Sequence, residues 1–327
     1  MNNNKLSLAI CGLGGFASRR ILPILTLCDN IELTAIIHRS DRSEDPILNG
    51  IQVYDSLEAF LDTTPCGAVY ITTPNYLHAQ QSLQCLSAGL HILCEKPMAT
   101  TSIDCKKMIR TASELGLHLQ IGHQLRYSPA LKLARSWIHD EMIGKILDIE
   151  IVFNYDLPIS NRPWAYRPEL AGGGSLMDAG IHCIDTIRFL IGGPVVLLEA
   201  KTDRDLYADG LERIANCSFI TGDVNSYISV NAKTSYATIL TISGTDGEIV
   251  INNFAACWGM VNVKLYAFHL GPVIKEEWVD VSTIYADQIR SFADSVAKSE
   301  ISYSQAIDAA ENVRIVEGLY SISQSWI

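Results

Sequence analysis

Asp178 and His182 are the side chains whose types and spacing best suit chemistry in this sequence. Apolar residues recur at spacings of three and four between residues 177 and 191, which predicts a helix that begins near Ser175 and buries one face. Residues at i and i+4 share a helix face, so the carboxylate and the imidazole can hydrogen-bond or point at one place. A histidine titrates near neutral pH and suits the transfer of a proton.

Purely structural roles compete with that chemistry. Ser175 and Asp178 form a variant of the capping box, with Asp in place of Glu or Gln, and in that alternative Asp178 only caps the helix. His182 is then a core histidine whose hydrogen bonds are satisfied inside the protein. The sequence leaves both alternatives open.

Lys96 is the third candidate, in the segment Glu95-Lys96-Pro97 directly after a buried strand. Pro97 restrains Lys96 to an extended conformation, and ligands bind at the carboxyl edge of a doubly wound sheet. A lysine there can stabilise negative charge that develops on a reacting oxygen. The competing alternative is a solvated surface lysine, which is the commonest state of that residue.

A glycine-rich segment between the first strand and the first helix predicts a nucleotide site. Gly12, Gly14, Gly15, Phe16 and Ala17 fit the pattern G-x-G-x-x-A, in which small residues let the backbone approach a pyrophosphate at a helix N-terminus. A tight turn without a ligand is the alternative. That alternative is less favoured because further alternating strands and helices follow, as in nucleotide-binding sheets.

The end of the second strand indicates which cofactor the loop serves. NAD enzymes usually carry an Asp or Glu there, about 20 residues after the glycines, for the ribose 2′-hydroxyl. This sequence has His38, Arg39 and Ser40 instead, and Arg39 can form charge-assisted hydrogen bonds to a 2′-phosphate. We therefore favour NADP(H). A solvated basic loop, or an Asp41 that turns inward, keeps NAD(H) open.

These residues need a framework, and its pattern changes once along the chain. Strands and helices alternate up to about residue 122, which predicts a doubly wound parallel sheet of six strands. Those strands cover 6–11, 31–38, 52–54, 68–72, 91–94 and 118–121, with helices at 75–88 and 102–115. Later strands cover 146–153, 213–220, 226–233, 238–243, 248–252 and 261–268, with helices at 128–141, 284–297 and 304–323. Turns between the later strands predict a mostly antiparallel sheet, and this α/β chain is expected to divide into domains at 1–125 and 126–327.

The composition of the chain limits the classes of molecule that the protein is expected to bind. A formal net charge of -11, with 25 scattered Lys and Arg residues, argues against a nucleic-acid surface. The nine cysteines contain no C-x-x-C pair and many lie in apolar runs, so we expect reduced core thiols, no metal site and a cytoplasmic protein. No stretch approaches the ~18 apolar residues of a membrane span.

Five aromatic and arginine side chains are predicted to line the substrate site, as a substrate wall. Aromatic faces and the paired N–H donors of a guanidinium group suit a polyhydroxylated ring. The five residues cluster in the Pro- and Gly-rich loop 157–174 and at the start of the second domain: Arg126, Tyr127, Trp164, Tyr166 and Arg167. Plain packing anchors are the alternative.

Taken together, the motifs resemble the Gfo/Idh/MocA oxidoreductases, the family of glucose-fructose oxidoreductase and inositol dehydrogenase. The resemblance spans nearly the whole chain. It rests on Gly12 to Ala17, on Thr73-Pro74-Asn75 with His78, on Glu95-Lys96-Pro97, and on Gly172-Gly173-Gly174 followed by Asp178 and His182. One feature departs from the family, because many members have Arg directly after the Trp that corresponds to Trp164, where this chain has Ala165.

The resemblance implies a Rossmann domain joined to an α+β domain with an open, mostly antiparallel sheet that often mediates oligomers, here a dimer or tetramer. Its implied site residues are Lys96, Asp178 and His182 for catalysis, Thr73, Asn75 and His78 for the cofactor cleft, and Glu95 for the ribose. Sugars and cyclic polyols are common substrates in the family. The expected reaction is hydride transfer between NAD(P) and a secondary hydroxyl or ketone, with His182 or Lys96 handling the proton.

Three other functions stay open at this point. A non-catalytic cofactor-binding sensor is one, although retention of Lys96, Asp178 and His182 argues against it. A glycoside hydrolase that keeps NAD bound and uses it transiently is the second, and reduction of a non-sugar carbonyl or imine is the third. A panel of substrates separates them.

Overall fold

The structure is a computed structural model that describes residues 5–39, 50–63, 66–157, 162–204, 210–267 and 272–325. The chain forms two compact units. The first contains Met1–Gly122 and Tyr285–Glu311, and the second contains His123–Ile284 and Asn312–Ile327. The sequence predicted a single division near residue 125, whereas in the structure Tyr285–Glu311 belongs to the first unit.

The first unit is built on a parallel sheet of six strands. These are β1 Leu6–Cys11, β2 Ile31–Ile37, β3 Gln52–Tyr54, β4 Ala68–Ile71, β5 His91–Glu95 and β6 Leu119–Gly122. They lie in the order β3-β2-β1-β4-β5-β6, and each adjacent pair is parallel. The predicted doubly wound sheet is confirmed. Its strand order reverses between β1 and β4, and ligands of such sheets bind beside that point, at the carboxyl ends.

Helices connect these strands. They are α1 Leu57–Thr63, α2 Asn75–Ser87 and α3 Ser102–Leu115, preceded by a π-helical segment Ala17–Ile21 and a 3₁₀ segment Leu22–Leu27. The limits of α3 show why local sequence sufficed there. The Thr101 side chain accepts a hydrogen bond from the Asp104 N–H at 3.1 Å, and Gly116 ends the helix with φ of +66°.

The chain returns to the first unit after the second sheet because its next helix buries an apolar face there. Helix α7, Ile284–Ala297, contributes Ile289, Phe292 and Ala293 to the same buried cluster as Leu8 of β1. Burying a large apolar side chain stabilises by roughly 1.5–3 kcal/mol, so this face of α7 holds the segment in place.

The second unit contains a nine-stranded sheet. Its strands are β7 Ile146–Asp156, β8 Val195–Arg204, β9 Glu212–Thr221, β10 Val224–Asn231, β11 Lys233–Gly244, β12 Gly247–Asn252, β13 Met260–Ala267, β14 Val273–Asp280 and β15 Gln324–Ser325. The order is β14-β13-β12-β11-β7-β10-β9-β8-β15. Among the described strands, β7 with β10 and β8 with β15 pair in parallel, and the other pairs are antiparallel. The predicted mostly antiparallel sheet is confirmed.

Strands β8 and β14 were absent from the sequence prediction. In β14 six of the eight residues are exposed because the strand lies at the edge of the sheet, and its apolar and charged residues do not alternate as they do in a half-buried strand. The first residues of β8 form a short unbroken apolar run after Gly192, Gly193 and Pro194, and such a run lacks the alternation that identifies a half-buried strand.

Helices of the second unit carry the candidate residues. They are α4 Pro129–His139, α5 Pro168–Ala171, α6 Ile181–Ile191 and the part of α8 (Ser304–Ile322) from Asn312 onward, with a π-helical segment at Leu176–Gly180 and 3₁₀ turns at Gln124–Tyr127 and Pro163–Tyr166. Within the described ranges, no helix combines the length and the hydrophobicity needed to cross a membrane. In the same ranges, no three His, Cys, Asp or Glu side chains are grouped as a metal site requires. All nine cysteines are described and have free thiols, eight of them buried.

Candidate active site

The loop after β1 has the geometry of a phosphate-binding turn. Gly12 has φ of +99°, and a Cβ there would lie 2.7 Å from Cγ2 of Thr73, so glycine is required. Gly14 is exposed, and a Cβ on it would meet nothing within 4 Å. The N–H of Ser18 donates to the Gly14 carbonyl at 3.0 Å, which places Gly14 at the start of a helix. This open backbone fits the diphosphate of a dinucleotide.

The other three loop residues divide between the surface and the core. Gly15 is exposed, and an added Cβ would touch only the flexible side chain of Arg19. Phe16 packs edge-on against Tyr285 with ring centroids 5.7 Å apart, and Ala17 is buried. Gly14 and Gly15 therefore face outward, while Phe16 and Ala17 anchor the helix.

The strand end predicted to distinguish NADP from NAD is described only in part. The backbone N–H of His38 donates to the carbonyl of Tyr54 at 2.8 Å, which fixes the end of β2 beside β3. Arg39 is exposed, as a phosphate ligand requires. Ser40 lies outside the described residues, as does Asp41. The preference for NADP(H) stays a prediction that depends on Arg39.

His78 holds two loops together from inside the first unit. Its ring nitrogens lie 2.7 Å from the carbonyl oxygen of Pro97 and 2.8 Å from that of Thr73, and only 1% of the residue is exposed. Burial lowers the pKa of His78, and the two carbonyls counteract this because they favour the protonated ring. His78 thus joins the segments that contain Thr73 and Pro97, and Thr73 and Asn75 are half-buried. Contact of Thr73, Asn75 and His78 with a cofactor stays a prediction.

Glu95 is hydrogen-bonded within the sheet. The Tyr70 hydroxyl donates to Oε1 at 2.5 Å, and the Lys96 backbone N–H lies 3.3 Å from Oε2. Burial raises the pKa of Glu95 to about 7, although Tyr70 and Lys96 act in the opposite direction. Lys96 itself is half-buried and precedes a cis peptide bond to Pro97. A role of Glu95 at the ribose stays a prediction, because its nearest described partner is Tyr70.

In the second unit, Asp178 lies in the π-helical segment Leu176–Gly180, directly before α6. Such turns are frequent at functional sites. The Asp178 carboxylate accepts hydrogen bonds from the Tyr155 hydroxyl at 3.2 Å and from the two terminal nitrogens of Arg162 at 2.9 and 3.3 Å. Ser175 makes no side-chain capping hydrogen bond, so the capping-box alternative is wrong.

Charge and burial stabilise this cluster. The charge of Asp178 raises the pKa of the Arg162 guanidinium, so Arg162 stays a cation. Burial raises the pKa of Tyr155 well above its ordinary value, and Asp178 adds to that shift. Tyr155 therefore remains a hydrogen-bond donor to the carboxylate across the physiological pH range.

His182 is held by aromatic rings. Its imidazole stacks on Phe153 with centroids 6.4 Å apart and an interplanar angle of 13°, and it meets His123 edge-on at 6.5 Å. The residue is 8% exposed, so it is largely buried without being sealed. Its ring orientation is thus restricted before any ligand arrives, which favours directed proton transfer.

Sequence reasoning missed Phe153, Tyr155 and Arg162. Strand β7 continues to Asp156, three residues beyond the predicted end, and alternation along it places Phe153 and Tyr155 on one face. That alternation was the available signal. Nothing local in the loop pointed to Arg162, because its partner Asp178 belongs to another element.

Arg126, predicted as a substrate contact, forms an interior ion pair. Its Nε and Nη2 donate to the Asp185 carboxylate at 2.9 and 2.6 Å, and Asn312 donates to the same group at 2.8 Å. Burial raises the pKa of Asp185, but the charges of His123 and Arg126 and these hydrogen bonds outweigh burial and bring it down to about 2. Arg126 thus has a described ion-pair partner inside the second unit, and its contact with a substrate stays a prediction.

The remaining wall residues also have partners inside the chain. Tyr127 is buried, and the Lys132 ammonium lies 5.6 Å from its ring. Trp164 and Tyr166 pack against Ala171 and Leu211. In addition, the Tyr166 hydroxyl donates to the Leu157 carbonyl, and Arg167 pairs with Glu169 at 2.6 Å. The three aromatic residues thus pack inside the chain, and substrate contact by any of the four residues stays a prediction.

Comparisons with known proteins agree with this geometry. Residues 6–123 match the GFO/IDH/MocA model described as an oxidoreductase family with an NAD-binding Rossmann fold, and residues 131–250 match the GFO/IDH/MocA C-terminal domain. A 1,5-anhydro-D-fructose reductase from Ensifer adhaerens is 29% identical over 63% of this chain and 63% of its own length. The chain thus spans less than two thirds of that reductase.

Longer alignments also exist. A D-xylose 1-dehydrogenase (NADP(+)) from Haloferax volcanii is 24% identical over 97% of this chain and 96% of that protein. The crystal structure of KijD10, a 3-ketoreductase from Actinomadura kijaniata in complex with NADP and TDP-benzene, superimposes with a TM-score of 0.90 at 21% identity. The superposition covers 98% of this chain and 99% of that one, which shows a shared fold.

Proposed function

The chain belongs to the Gfo/Idh/MocA oxidoreductase family, and we propose that it transfers a hydride between NAD(P) and a secondary hydroxyl or ketone of a sugar or cyclic polyol. The cluster in which Tyr155 and Arg162 hold Asp178 one turn before His182 carries this proposal. It presents hydrogen-bonding groups and a proton carrier together. The names of the anhydrofructose reductase and the xylose dehydrogenase support a sugar substrate.

Each residue then has a distinct task. His182, with its ring held by Phe153 and His123, takes the proton of the substrate hydroxyl or returns it in the reverse direction. Lys96 stabilises negative charge on that oxygen, and it is the alternative proton acceptor. Asp178 orients the polar groups around it. The nicotinamide, when bound, supplies the hydride chemistry.

For the cofactor, we assign the diphosphate to the Gly12–Ala17 loop and a 2′-phosphate to Arg39. The similar D-xylose 1-dehydrogenase is an NADP(+) enzyme, and KijD10 was crystallised with NADP. Both observations support NADP(H) as the cofactor of this chain. Measurement of kcat/KM with each cofactor tests the assignment. We expect NADP to be preferred and Arg39→Ala to reduce the preference; a wild-type preference for NAD contradicts it.

A homo-oligomer, as a dimer or tetramer in the cytoplasm, is the proposed working form. Large exposed apolar side chains on the second sheet support association: Val196, Leu198, Tyr227 and Trp278. Free buried thiols support a reducing compartment. Light scattering during gel filtration tests the assembly, and a monomer at micromolar concentration contradicts it.

The activity itself is tested with purified protein, a panel of sugars and inositols, and NAD or NADP supplied separately. We expect substrate-dependent reduction of the cofactor, lowered about 10²-fold in Lys96→Ala and in His182→Ala. Lys107→Ala is the matched control, because Lys107 is an exposed lysine paired with Asp104. If both variants stay within about threefold of wild type, the assignment is wrong. Cofactor binding without turnover favours the sensor, and glycoside cleavage without net reduction favours the hydrolase.

A further inference from the structure

We propose that Glu212 is a positioning residue that fixes the start of the helical segment carrying Asp178 and His182. It does so by accepting hydrogen bonds from the first backbone N–H groups of that segment. The inference rests on the proposed function, since Glu212 acts only through the two residues placed in catalysis.

The contacts of Glu212 are those of a helix cap supplied from another element. The N–H of Leu176 donates to Oε1 at 2.9 Å, and the N–H of Gly174 donates to Oε2 at 3.2 Å. Glu212 begins β9 and is only 5% exposed. The first N–H groups of a helix have no partner within it, and their positive end favours a carboxylate. Glu212 thus supplies what Ser175 does not.

Tyr320 of α8 completes the cap. Its hydroxyl donates to Oε1 of Glu212 at 2.8 Å and accepts from the Gly174 N–H at 3.1 Å. Burial raises the pKa of Tyr320 well above its ordinary value, so the hydroxyl stays protonated and can donate. Burial raises the pKa of Glu212, and the N–H donors counteract that shift because they stabilise the charged form.

This cap explains the glycines that precede the segment. A Cβ on Gly173 would overlap the Tyr320 hydroxyl, and a Cβ on Gly174 would overlap the backbone carbonyl oxygen of Glu212. Gly173 also has φ of +156°, within the region that glycine favours. The glycines therefore let Glu212 and Tyr320 approach the helix start closely enough to bind it.

The cap is connected to the candidate residues by one turn of backbone. The N–H of Asp178 donates to the Gly174 carbonyl at 2.9 Å, and the segment continues without a break into α6, which carries His182. A shift of Gly174 consequently shifts Asp178 against Tyr155 and Arg162. Small misplacements of reacting groups reduce rates strongly, so Glu212 is expected to act on kcat.

The experiment uses the full chain and three variants: Glu212→Gln, the milder Tyr320→Phe, and the control Glu248→Gln. Glu248 lies near the start of β12 in the same sheet, and its described side-chain contact is with Ser243 at 3.5 Å. Hydrogen exchange is followed by mass spectrometry in the peptide 174–182. In parallel, kcat, substrate KM and the Kd for NADPH are measured.

We expect Glu212→Gln to accelerate exchange in that peptide and to lower kcat about tenfold or more, with the Kd for NADPH within about twofold of wild type. Tyr320→Phe should act in the same direction with a smaller effect, and it keeps the test valid if Glu212→Gln does not fold. The control should change neither quantity.

Unchanged exchange in both Glu212→Gln and Tyr320→Phe overturns the inference, and so does accelerated exchange with an unchanged kcat. A general loss of stability that weakens NADPH binding and kcat together also contradicts a positioning role. If the wild-type protein oxidises no sugar, the proposed function fails, while accelerated exchange in Glu212→Gln still supports the cap.

Discussion

Two glycine-rich segments precede helices in this chain, and their surroundings are opposite. In the first unit, Gly14 faces outward with no atom within 4 Å of the place where a Cβ would stand. In the second unit, Gly173 and Gly174 are pressed against Tyr320 and Glu212. The same residue type therefore keeps space open for a ligand in one unit and lets protein groups approach in the other.

Gly12 shows that crowded and open glycines can occur in the same segment. It belongs to the open loop, but its Cβ position is filled by Thr73, and its φ of +99° suits glycine. A glycine motif in a sequence therefore does not reveal which of its members faces a ligand. Substitutions at these positions separate glycines that are needed for packing from glycines that leave room for a ligand.

Gly174→Ala tests the crowded segment. The added Cβ would overlap the backbone carbonyl oxygen of Glu212, which cannot move without shifting β9. We expect a loss of about 3 kcal/mol in the free energy of unfolding, measured by urea denaturation, together with loss of activity. A loss below about 0.5 kcal/mol would remove the contrast between the two segments.

Buried carboxylates extend the comparison, and Glu95 represents the first unit. Burial raises its pKa from the ordinary 4.5 to about 7, so its contribution to stability is present below pH 4.5 and is lost as pH rises through 7. We expect Glu95→Gln to remove up to about 3 kcal/mol of pH dependence from the unfolding free energy between those limits. Denaturation without cofactor at several pH values measures this, and an unchanged slope contradicts it.

Asp185 represents the second unit, with the opposite sign. Its pKa is lowered from the ordinary 3.8 to about 2, so its contribution is present above pH 3.8 and is lost as pH falls toward 2. That contribution is about 2 kcal/mol. Acid denaturation of wild type and Asp185→Asn should diverge above pH 3.8 and converge toward pH 2. Parallel curves would show that Arg126 does not hold the charged carboxylate.

Gly14→Ala tests the open loop. The methyl group meets no protein atom, so the unfolding free energy should stay within about 0.5 kcal/mol of wild type. It does occupy the space assigned to the diphosphate, and we expect the Kd for NADPH to rise about tenfold, which is about 1.4 kcal/mol. Calorimetric titration measures the Kd. An unchanged affinity would mean that the open backbone does not face the cofactor.

Arg167→Ala has the smallest expected effect. Arg167 forms an exposed pair with Glu169, and such pairs contribute little to stability, so the melting temperature should not change. If Arg167 also contacts the substrate, KM rises while kcat is retained. Arg110→Ala, at another exposed pair, is the control. An unchanged KM would leave Arg167 as a surface residue.

Several elements were predictable because their determinants are local. The limits of α3 and α7 agree with the prediction, and α3 ends at the expected glycine. Each of the six strands of the first sheet begins and ends within one residue of its predicted limits. Edge strand β14 was missed because its exposed residues obey no apolar pattern. Similarly, the return of α7 to the first unit depends on which apolar face it meets, and that face is formed by residues near the other end of the chain.

By itself, the sequence determined the glycine turn after β1, the position of Lys96 at the end of β5, and the helix that carries Asp178 and His182, because each depends on neighbouring residues. Tertiary structure decided the partners. Asp178 is held by Tyr155 and Arg162, Arg126 by Asp185, and the helix start by Glu212. A buried polar group must find a hydrogen-bond partner, and the fold alone decides which distant donors and acceptors are buried beside it.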